Sequence, residues 1–450
     1  MAVKRWHAEL AWLGRVAENV LIEVEGERIS AVTPSSAAPP DSVRLPGFTI
    51  PGLANAHSHA LQRSLRGRTH EVAADFWKWR GLMYRLAERL DPASYFDLAR
   101  ATYGEMALAG ITAVGEFHYL HHGPGGVPYA DPNAMGEALV SAARDAGIRI
   151  TLIDTCYLRA GFRGEPLESA QTRFSDGSAQ AWAERVDALR ESRGVRIGAG
   201  IHSVRALDTA SMTAVRDWAE DSGAPLHLHL SEQPAENEAC LAATGLTPAH
   251  LVDSAGVLGP ATTTVHATHL TETDVGLLGA SGTCACLCPT TERDLGDGIG
   301  PARALAAAGS PLAVGSDMHA LIDLFEEARA LELDERLATG RRGLHGPEEL
   351  LAAATTAGMR SLGWDDGGLT SGGLADFTSV SLRSPRTAGA TPDNAVQHVV
   401  FAATAADVTD VVVAGEPVVE RGRHVRIDDV GAALAQAIAS LESTYTQEGQ

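Results

Sequence analysis

The chain has 450 residues, of which 45% are hydrophobic and 21% charged, and it carries a formal net charge of −21. This length is sufficient for a core that buries a dry active site. The negative charge excludes a protein whose main partner is a nucleic-acid backbone, because like charges repel. An anionic substrate would need dedicated local cations.

The number and spacing of the lysines and cysteines exclude further kinds of active site. Of the 36 basic residues only Lys4 and Lys78 are lysines, so chemistry that requires a buried catalytic lysine has almost no candidate. Cys284, Cys286 and Cys288 have the spacing of a strand rather than that of a zinc knuckle, and we interpret them as small buried residues. The odd cysteine count, the lack of a leader-like N-terminus and the lack of a membrane-length apolar run predict a cytoplasmic protein without a membrane partner.

Both ends of the chain predict short strands separated by turns. The predicted strands lie at 20–24, 28–32, 376–382, 395–402 and 410–413, and a helix is predicted at 428–444. We expect residues 1–50 and 368–450 to pair into one small β-sandwich domain that is discontinuous in sequence.

Between these ends, apolar strand-like runs alternate with helical stretches. The runs lie at 48–56, 112–117, 148–155, 196–202, 225–230, 262–267, 283–288 and 312–317. Such alternation indicates βαβ units, and eight of them predict an α/β fold, a (β/α)8 TIM-like barrel over residues 51–367. A doubly wound open sheet is the alternative. It is disfavoured because polar candidates follow nearly every strand rather than one switch point.

Histidines and one aspartate stand at the ends of four of these runs. His57 and His59 are two residues apart, so alternation places both on the interior face of the first strand. His229 ends the fifth strand, His266 the sixth and Asp317 the eighth. Taken alone, Asp317 has a second interpretation as the cap of the next helix. Taken together, the imidazoles and the carboxylate predict a mononuclear metal site suited to hydrolysis.

Glu232 directly follows the fifth strand, close to whatever His229 binds. Its alternative interpretation is an exposed glutamate at a helix start, where the helix dipole favours negative charge. His227 shares the interior face but lies deeper, so we expect a packed or supporting role. His269 is predicted to lie in a loop at the rim.

Several stretches of the chain carry a resemblance to a known family. They are 51–53, 57–63, 76–85, 116–122, 202–205, 288–292 and 295–298. On these residues the chain resembles the amidohydrolase superfamily from end to end. Within that superfamily it is similar to the deiminases that act on a formimino dicarboxylate.

The resemblance implies a site with assigned roles. One divalent metal ion, with Zn²⁺ as the expected ion, would be held by His57, His59, His229 and Asp317. The implied catalytic residues are Glu232, His266 and Asp317. The implied substrate-binding residues are Gln62, Arg80, Tyr119, His202 and Arg205. The scarcity of lysine agrees with a one-metal site, and the resemblance also implies a homodimer.

The activity that the resemblance implies is the hydrolysis of N-formimino-L-glutamate to N-formyl-L-glutamate and ammonia, a step of histidine degradation. Asp317 would accept a proton from water, Glu232 would protonate the leaving nitrogen, and His266 would hydrogen-bond the attacking oxygen. Arg80 and Arg205 would offer guanidinium forks to the two substrate carboxylates. Two alternatives stay open: another deaminase of the superfamily that acts on a purine or pyrimidine, and a non-catalytic barrel that binds a metal or a small acid.

Overall fold

The computed structural model describes residues 3–68, 76–364 and 367–447. The strands of these residues are β1 (Lys4–Trp12), β2 (Val16–Glu25), β3 (Arg28–Thr33), β4 (Val43–Pro51), β5 (Leu53–Ser58), β6 (Ile111–His118), β7 (Arg149–Cys156), β8 (Val195–Ile201), β9 (Leu226–Leu230), β10 (Thr262–His266), β11 (Cys284–Leu287), β12 (Leu312–Val314), β13 (Phe377–Val380), β14 (Val408–Val413), β15 (Glu416–Glu420) and β16 (Arg423–His424).

The helices lie mostly between the strands. They are α1 (Phe76–Ala87), α2 (Pro92–Leu108), α3 (Ala134–Ala146), α4 (Ala179–Val186), α5 (Thr209–Ser222), α6 (Pro234–Thr244), α7 (Pro248–Ser254), α8 (Glu272–Ser281), α9 (Pro289–Leu295), α10 (Ala302–Ala308), α11 (Leu324–Thr339), α12 (Pro347–Ala354), α13 (Thr356–Ser361), α14 (Ala395–Phe401) and α15 (Val430–Gln447). Within the described ranges, no helix combines the length and the apolar character needed to cross a membrane.

The strands β5 to β12 form one parallel sheet in chain order. The sheet closes where Ser58, at the end of β5, bridges Asp317, just beyond β12. The backbone N–H of His59 donates to the carbonyl of Asp317 at 3.1 Å across the same seam. The predicted (β/α)8 barrel is therefore confirmed. Because all eight strands run the same way, their carboxyl ends meet at one mouth.

Small side chains fill part of the barrel interior. One buried cluster there consists of Ala56, Val265, Cys284, Cys286, Cys288 and Ala313. The three cysteines are at most 5% exposed, and the first two lie on β11. Their interpretation as small buried residues is confirmed, although Cys288 lies just beyond the strand, at the start of α9.

Both ends of the chain build a second, mixed sheet in the order β16-β15-β14-β13-β4-β1-β2-β3. β4 pairs in parallel with β1 and antiparallel with β13, so backbone hydrogen bonds join the two ends of the chain. On this sheet Trp6 packs edge-on against Phe377, with 5.4 Å between ring centroids. The predicted discontinuous β-domain is thus confirmed, whereas its boundaries at residues 50 and 367 remain a prediction.

The first predicted strand, 48–56, is in fact two strands. β4 ends at Pro51 in the sheet of the termini, and β5 begins at Leu53 in the barrel. Gly52 separates them, and a Cβ at this position would lie 2.1 Å from Oγ1 of Thr112. Only glycine fits this close approach, which is where the chain passes from one sheet to the other.

The predicted strand at 395–402 is also wrong, because this segment forms helix α14. Its β-branched residues favoured a strand by composition. However, the buried positions Val396, Val399 and Val400 recur at helical spacing. They face α11 and α12, and this tertiary packing outweighs the local preference.

Candidate active site

The four predicted metal ligands lie together at the mouth of the barrel. Nε2 of His57 is 3.2 Å from Nε2 of His59 and 3.2 Å from Nε2 of His229. Oδ1 of Asp317 lies 3.3 Å from the first of these nitrogens and 3.4 Å from the second. The four donor atoms therefore converge on one small volume. They come from the ends of β5 and β9 and from the segment just beyond β12.

Backbone carbonyls orient two of the imidazoles. Nδ1 of His59 lies 3.0 Å from the carbonyl oxygen of Phe117, and Nδ1 of His229 lies 2.9 Å from that of His202. Because a carbonyl oxygen can only accept, each Nδ1 carries the proton and donates it. The lone pair of each imidazole is then on Nε2, the atom that faces the other donors.

The protonation states of these residues fit a metal ion. Burial lowers the pKa of His57 to about 3, and burial also lowers the pKa values of His59 and His229. Burial alone would raise the pKa of Asp317, but its bond to His57 and the neighbouring imidazoles hold that pKa well below its usual value. Neutral imidazoles and an ionised carboxylate are the forms that ligate metals.

The donor spacing is also suitable. Two atoms that each lie ~2.0–2.1 Å from a tetrahedral zinc ion are about 3.3 Å apart. The observed separations of 3.2–3.4 Å match this value. The chemistry and the spacing of the donor set therefore fit a divalent ion such as zinc.

Strained backbone surrounds the cluster. The non-glycine residues Ser231, His266 and Asp317 have positive φ angles of 53°, 69° and 42°. A left-handed conformation in such residues costs about 1–3 kcal/mol each and persists where the surrounding structure requires it. All three lie at or just beyond the ends of barrel strands, so the strain coincides with the site.

Glu232 and His266 lie beside the donor cluster. Nε2 of His266 is 3.7 Å from Oε1 of Glu232 and 3.9 Å from Oδ2 of Asp317. Burial alone would lower the pKa of His266, but the carboxylates of Glu232, Glu292 and Asp317 raise it well above its usual value. Burial raises the pKa of Glu232. The two side chains are therefore suited to hold and transfer protons next to the cluster.

Two further acids of this network could not be assigned a role from the sequence alone. Glu292 is 3% exposed, accepts the backbone N–H of Cys288 at 2.8 Å and lies 3.5 Å from Nδ1 of His266. Burial, together with the Glu232 carboxylate, raises the pKa of Asp297 to about 8. Both acids lie in stretches that carried the family resemblance. The strand periodicity of the sequence did not identify these acids as site residues. They reach the mouth of the barrel because α9 and the loop after it turn back towards it.

Four of the predicted substrate-binding residues meet in one cavity of about 60 Å³. Its walls include Gln62, Tyr119, His202 and Arg205, together with His59, His229, Glu232, Met83, Tyr84, Tyr157 and Phe174. The structure thus places these candidates next to the donor cluster of His57, His59, His229 and Asp317. Arg80 lies on α1, but its side chain is outside the described part of the structure, so its role remains a prediction.

Two further histidines, one on β9 and one in the loop after β10, have backbone partners. Nε2 of His227 donates to the carbonyl of Ser361 at 2.8 Å, and burial lowers its pKa to about 4. Nε2 of His269 donates to the carbonyl of Asp297 at 2.7 Å, at the rim of the site. Both contacts fit the supporting roles expected from the sequence.

Among the described residues, another group of potential metal ligands shares Asp317 with the donor cluster and adds His266 and Cys288. A third group lies on and just after β6 and on β7, and it was missed in the sequence. It consists of His118, His121 and Asp154. Both oxygens of Asp154 accept hydrogen bonds from Arg185, at 2.8 and 2.9 Å, and one also accepts from Nε1 of Trp182 at 2.9 Å. A guanidinium already neutralises the carboxylate, so this group is a buried ion-pair network rather than a metal site.

Comparison with known proteins agrees with this architecture. The profile of the Amidohydrolase family matches residues 48–418. The chain therefore belongs to the amidohydrolase family. More particularly, it is 37% identical over 439 residues to the formimidoylglutamate deiminase of Pseudomonas aeruginosa, and the match covers 94% of this chain and 96% of that protein.

Solved structures give the same picture of the fold. A crystal structure of an amidohydrolase from Brucella melitensis is similar with a TM-score of 0.91 and 32% identity, covering 97% of this chain and 99% of that one. An adenosine deaminase from Xanthomonas campestris, solved with bound zinc, is similar with a TM-score of 0.83 and 24% identity, covering 98% of each chain. The second likeness shows the fold alone.

Proposed function

We propose that this chain catalyses the hydrolysis of N-formimino-L-glutamate to N-formyl-L-glutamate and ammonia. One observation carries the proposal: the same cavity is lined by two of the converging histidines, by Glu232, and by side chains suited to a carboxylate, Arg205 among them. The similarity to a formimidoylglutamate deiminase over nearly the whole length of both proteins supports it.

In this proposal one zinc ion is held by His57, His59, His229 and Asp317. When bound, such an ion supplies Lewis acidity that lowers the pKa of water from 15.7 to about 7. The three lowered imidazole pKa values favour this role, because each ring keeps a free lone pair at neutral pH.

The protons are handled by three side chains. Asp317 is ionised, so it accepts a proton from the attacking water. His266, protonated because of the surrounding carboxylates, donates a hydrogen bond to the oxygen that bonds to the formimino carbon. Glu232 has a raised pKa and delivers one proton to the terminal nitrogen. Asp317 passes the proton that it took from water to the same nitrogen as the bond from carbon to that nitrogen breaks. Both protons of the water end on the ammonia that leaves.

The two carboxylates of the substrate require cations in a protein of net charge −21. Arg205 lines the cavity with 28% of its side chain exposed, so its guanidinium can reach a ligand. Arg80 is our candidate for the second carboxylate. Gln62, Tyr119 and His202 supply hydrogen-bonding groups on the same wall. A hydrogen bond to a charged group contributes about 1.5–3 kcal/mol.

The test is an assay of ammonia release by the zinc-loaded chain. We expect release from N-formimino-L-glutamate and none from guanine, cytosine or adenosine. Activity only on a base would replace the proposal with the purine or pyrimidine alternative, and tight binding without turnover would favour a non-catalytic barrel. The cytoplasmic location and the homodimer remain part of the proposal, and sedimentation of the purified chain tests the latter.

A further inference from the structure

A network of buried hydrogen bonds crosses the seam where the barrel closes. This seam network consists of five fully buried side chains: Asn55, Ser58, Glu116, Ser316 and His319. The first two lie on β5, the third lies on β6, and the last two follow β12. The seam network therefore connects the first two strands of the barrel with the segment after the last strand.

His319 lies in the middle of the seam network. Its Nδ1 is 2.9 Å from Oγ of Ser316, and its Nε2 is 3.2 Å from Oγ of Ser58. The backbone of His319 has a positive φ of 62°, which a non-glycine residue keeps only where the surrounding structure requires it. Nε of Arg66 donates to the carbonyl of His319 at 2.7 Å. The ring and the backbone of His319 are thus both held in place.

The hydrogen bonds of the seam network have one consistent direction. The backbone N–H of Ser316 donates to Oδ1 of Asn55 at 2.9 Å, so Nδ2 of Asn55 is the atom that donates to Oγ of Ser316, at 2.7 Å. The Ser316 hydroxyl then donates to Nδ1 of His319, and Nε2 of His319 carries the proton and donates to Oγ of Ser58. The Ser58 hydroxyl donates to Oε2 of Glu116 at 2.8 Å. A buried network in which each polar group has a partner is rigid.

The seam network holds the segments that carry three of the four proposed metal ligands. Ser58 lies between His57 and His59 in the chain, and Ser316 directly precedes Asp317. Because the hydroxyls of both serines are fixed, the backbone from which the neighbouring ligands project is fixed as well.

Glu116 holds the first of these segments from the neighbouring strand. Its Oε2 accepts the Ser58 hydroxyl, and its Oε1 accepts the backbone N–H of Ala60 at 2.7 Å. One carboxylate therefore contacts the residues on both sides of His59.

We propose that His319 and Glu116 are positioning residues that raise the affinity of the site for its metal ion. Neither is a proposed ligand, and neither lines the cavity of about 60 Å³. They act through Ser58 and Ser316, whose neighbours in the chain supply donor atoms. Groups that orient metal ligands contribute about 10–100-fold to metal affinity. This inference rests on the metal site of the proposed function.

The experiment measures zinc affinity by competition with a chromophoric chelator, at a temperature at which circular dichroism shows each variant to be folded. His319→Phe keeps a ring at this position and removes both of its hydrogen bonds. We expect it to raise the dissociation constant of Zn²⁺ by about 10–100-fold. A wild-type dissociation constant in folded His319→Phe would overturn the inference.

Glu116→Gln tests the other end of the seam network. The amide has one acceptor oxygen where the carboxylate has two, so either the Ala60 N–H or the Ser58 hydroxyl loses its acceptor. The dissociation constant of Zn²⁺ should again rise by about 10–100-fold. An unchanged constant would remove Glu116 from the positioning role.

Ser58→Ala removes the hydroxyl that joins His319 to Glu116 and makes the smallest change to the packing. It decides the question if a larger substitution prevents folding. We expect its zinc dissociation constant to rise by about tenfold or more, and a wild-type constant in this variant would overturn the inference.

His424→Phe is the matched control. His424 is 8% exposed on β16, and its Nε2 lies 3.0 Å from the carbonyl oxygen of Ala146. This variant also loses a buried imidazole and its hydrogen bonds, but in the sheet of the termini. We expect a lower melting temperature with an unchanged zinc dissociation constant. An equal rise of that constant in His424→Phe and His319→Phe would show general destabilisation and would contradict the positioning role.

The measurement requires no substrate, so it separates this inference from the proposed reaction. Zinc binding by the wild type without ammonia release from N-formimino-L-glutamate would remove the proposed function and leave the inference standing. Ammonia release by the wild type, with wild-type zinc affinity in the seam-network variants, would remove the inference alone. A wild type that binds no zinc would remove both.

Discussion

At the residue level, Oε1 of Glu232 lies 3.7 Å from Nε2 of His266. This short separation supports the assignment of both side chains to proton transfer. Neither residue is needed for the donor cluster of His57, His59, His229 and Asp317. Glu232 comes from the loop after β9, and His266 ends β10. Asp317 has both proposed roles, metal ligand and proton acceptor, whereas Glu232 and His266 have proposed roles in proton transfer alone and can be changed without removing a proposed metal ligand.

Glu232→Gln should lower kcat by about 10²–10⁴-fold, because the amide cannot deliver a proton to the leaving nitrogen. KM should change little, since the substrate carboxylates contact other residues. Steady-state kinetics with N-formimino-L-glutamate measures both constants. Glu238→Gln is the control, because Glu238 is exposed on the same loop-and-helix segment. An unchanged kcat would remove Glu232 from the proton-transfer role.

Arg205→Ala should raise KM and lower kcat/KM by about 10–150-fold, which corresponds to a loss of 1.5–3 kcal/mol from one charge-assisted contact. The metal content should stay at the wild-type value, because no donor atom is altered. The control is Arg303→Ala, at an exposed position on α10. A KM equal to that of the wild type would show that Arg205 does not bind the substrate.

At the level of elements, β7 and α4 are joined by a buried ion pair behind the site. Asp154 on β7 is 1% exposed and pairs with Arg185 on α4 at 2.8 Å. Burial alone would raise the pKa of Asp154, but the guanidinium of Arg185 lowers it to about 2. The pair lies close to His118 and His121, which flank Tyr119, so it supports the segment that carries a substrate-binding candidate.

Asp154→Asn should destabilise the chain by about 1.5–3 kcal/mol at neutral pH, because Arg185 loses the charge of Asp154 and keeps only that of Asp176, which it contacts at 2.9 Å. The pKa of Asp154 is lower in the folded than in the unfolded protein, so its stabilisation is present above about pH 4 and is lost as the pH falls towards 2. The difference in urea midpoint between wild type and variant should narrow over that range. Asp145→Asn, at a half-exposed ion pair with Arg100, should show a small and constant difference. A wild-type midpoint for Asp154→Asn at pH 7 would contradict this.

Period-two alternation and strand-end residues made much of the barrel predictable. The strands of the barrel and the positions of His57, His59, His229 and Asp317 could be read from the sequence, because a strand fixes which face and which end a residue occupies. The prediction for 48–56 was wrong because the chain passes from one sheet to the other at a glycine. The prediction for 395–402 was wrong because packing against other helices determines that segment. Neither cause is a local property of the sequence. Glu292, Asp297 and the pair of Asp154 with Arg185 depend in the same way on how distant elements fold back.

At the level of the whole molecule, the barrel brings His57, His59, His229 and Asp317 together at one mouth, in a chain with only two lysines. Lys4 pairs with Glu416 at 2.5 Å in the sheet of the termini, on a different part of the fold. Lys78 has a side chain outside the described part of the structure. The scarcity of lysine supports one metal ion per chain rather than two bridged by a modified lysine.

Removal of the metal by a chelator should abolish activity, and one equivalent of Zn²⁺ per chain should restore it. Elemental analysis of the reactivated protein gives the stoichiometry. His57→Ala should fail to recover activity at the same zinc concentration because it removes a central donor. A requirement for two equivalents, or full activity in metal-free protein, would contradict a mononuclear site.

The most direct test of the site is a crystal structure of the zinc-loaded chain with its proposed product, N-formyl-L-glutamate, measured at the zinc absorption edge. We expect one anomalous peak at the barrel mouth, ligated by His57, His59, His229 and Asp317, with a product carboxylate on Arg205. A peak at His118, His121 and Asp154, or a product carboxylate bound away from Arg205, would contradict it.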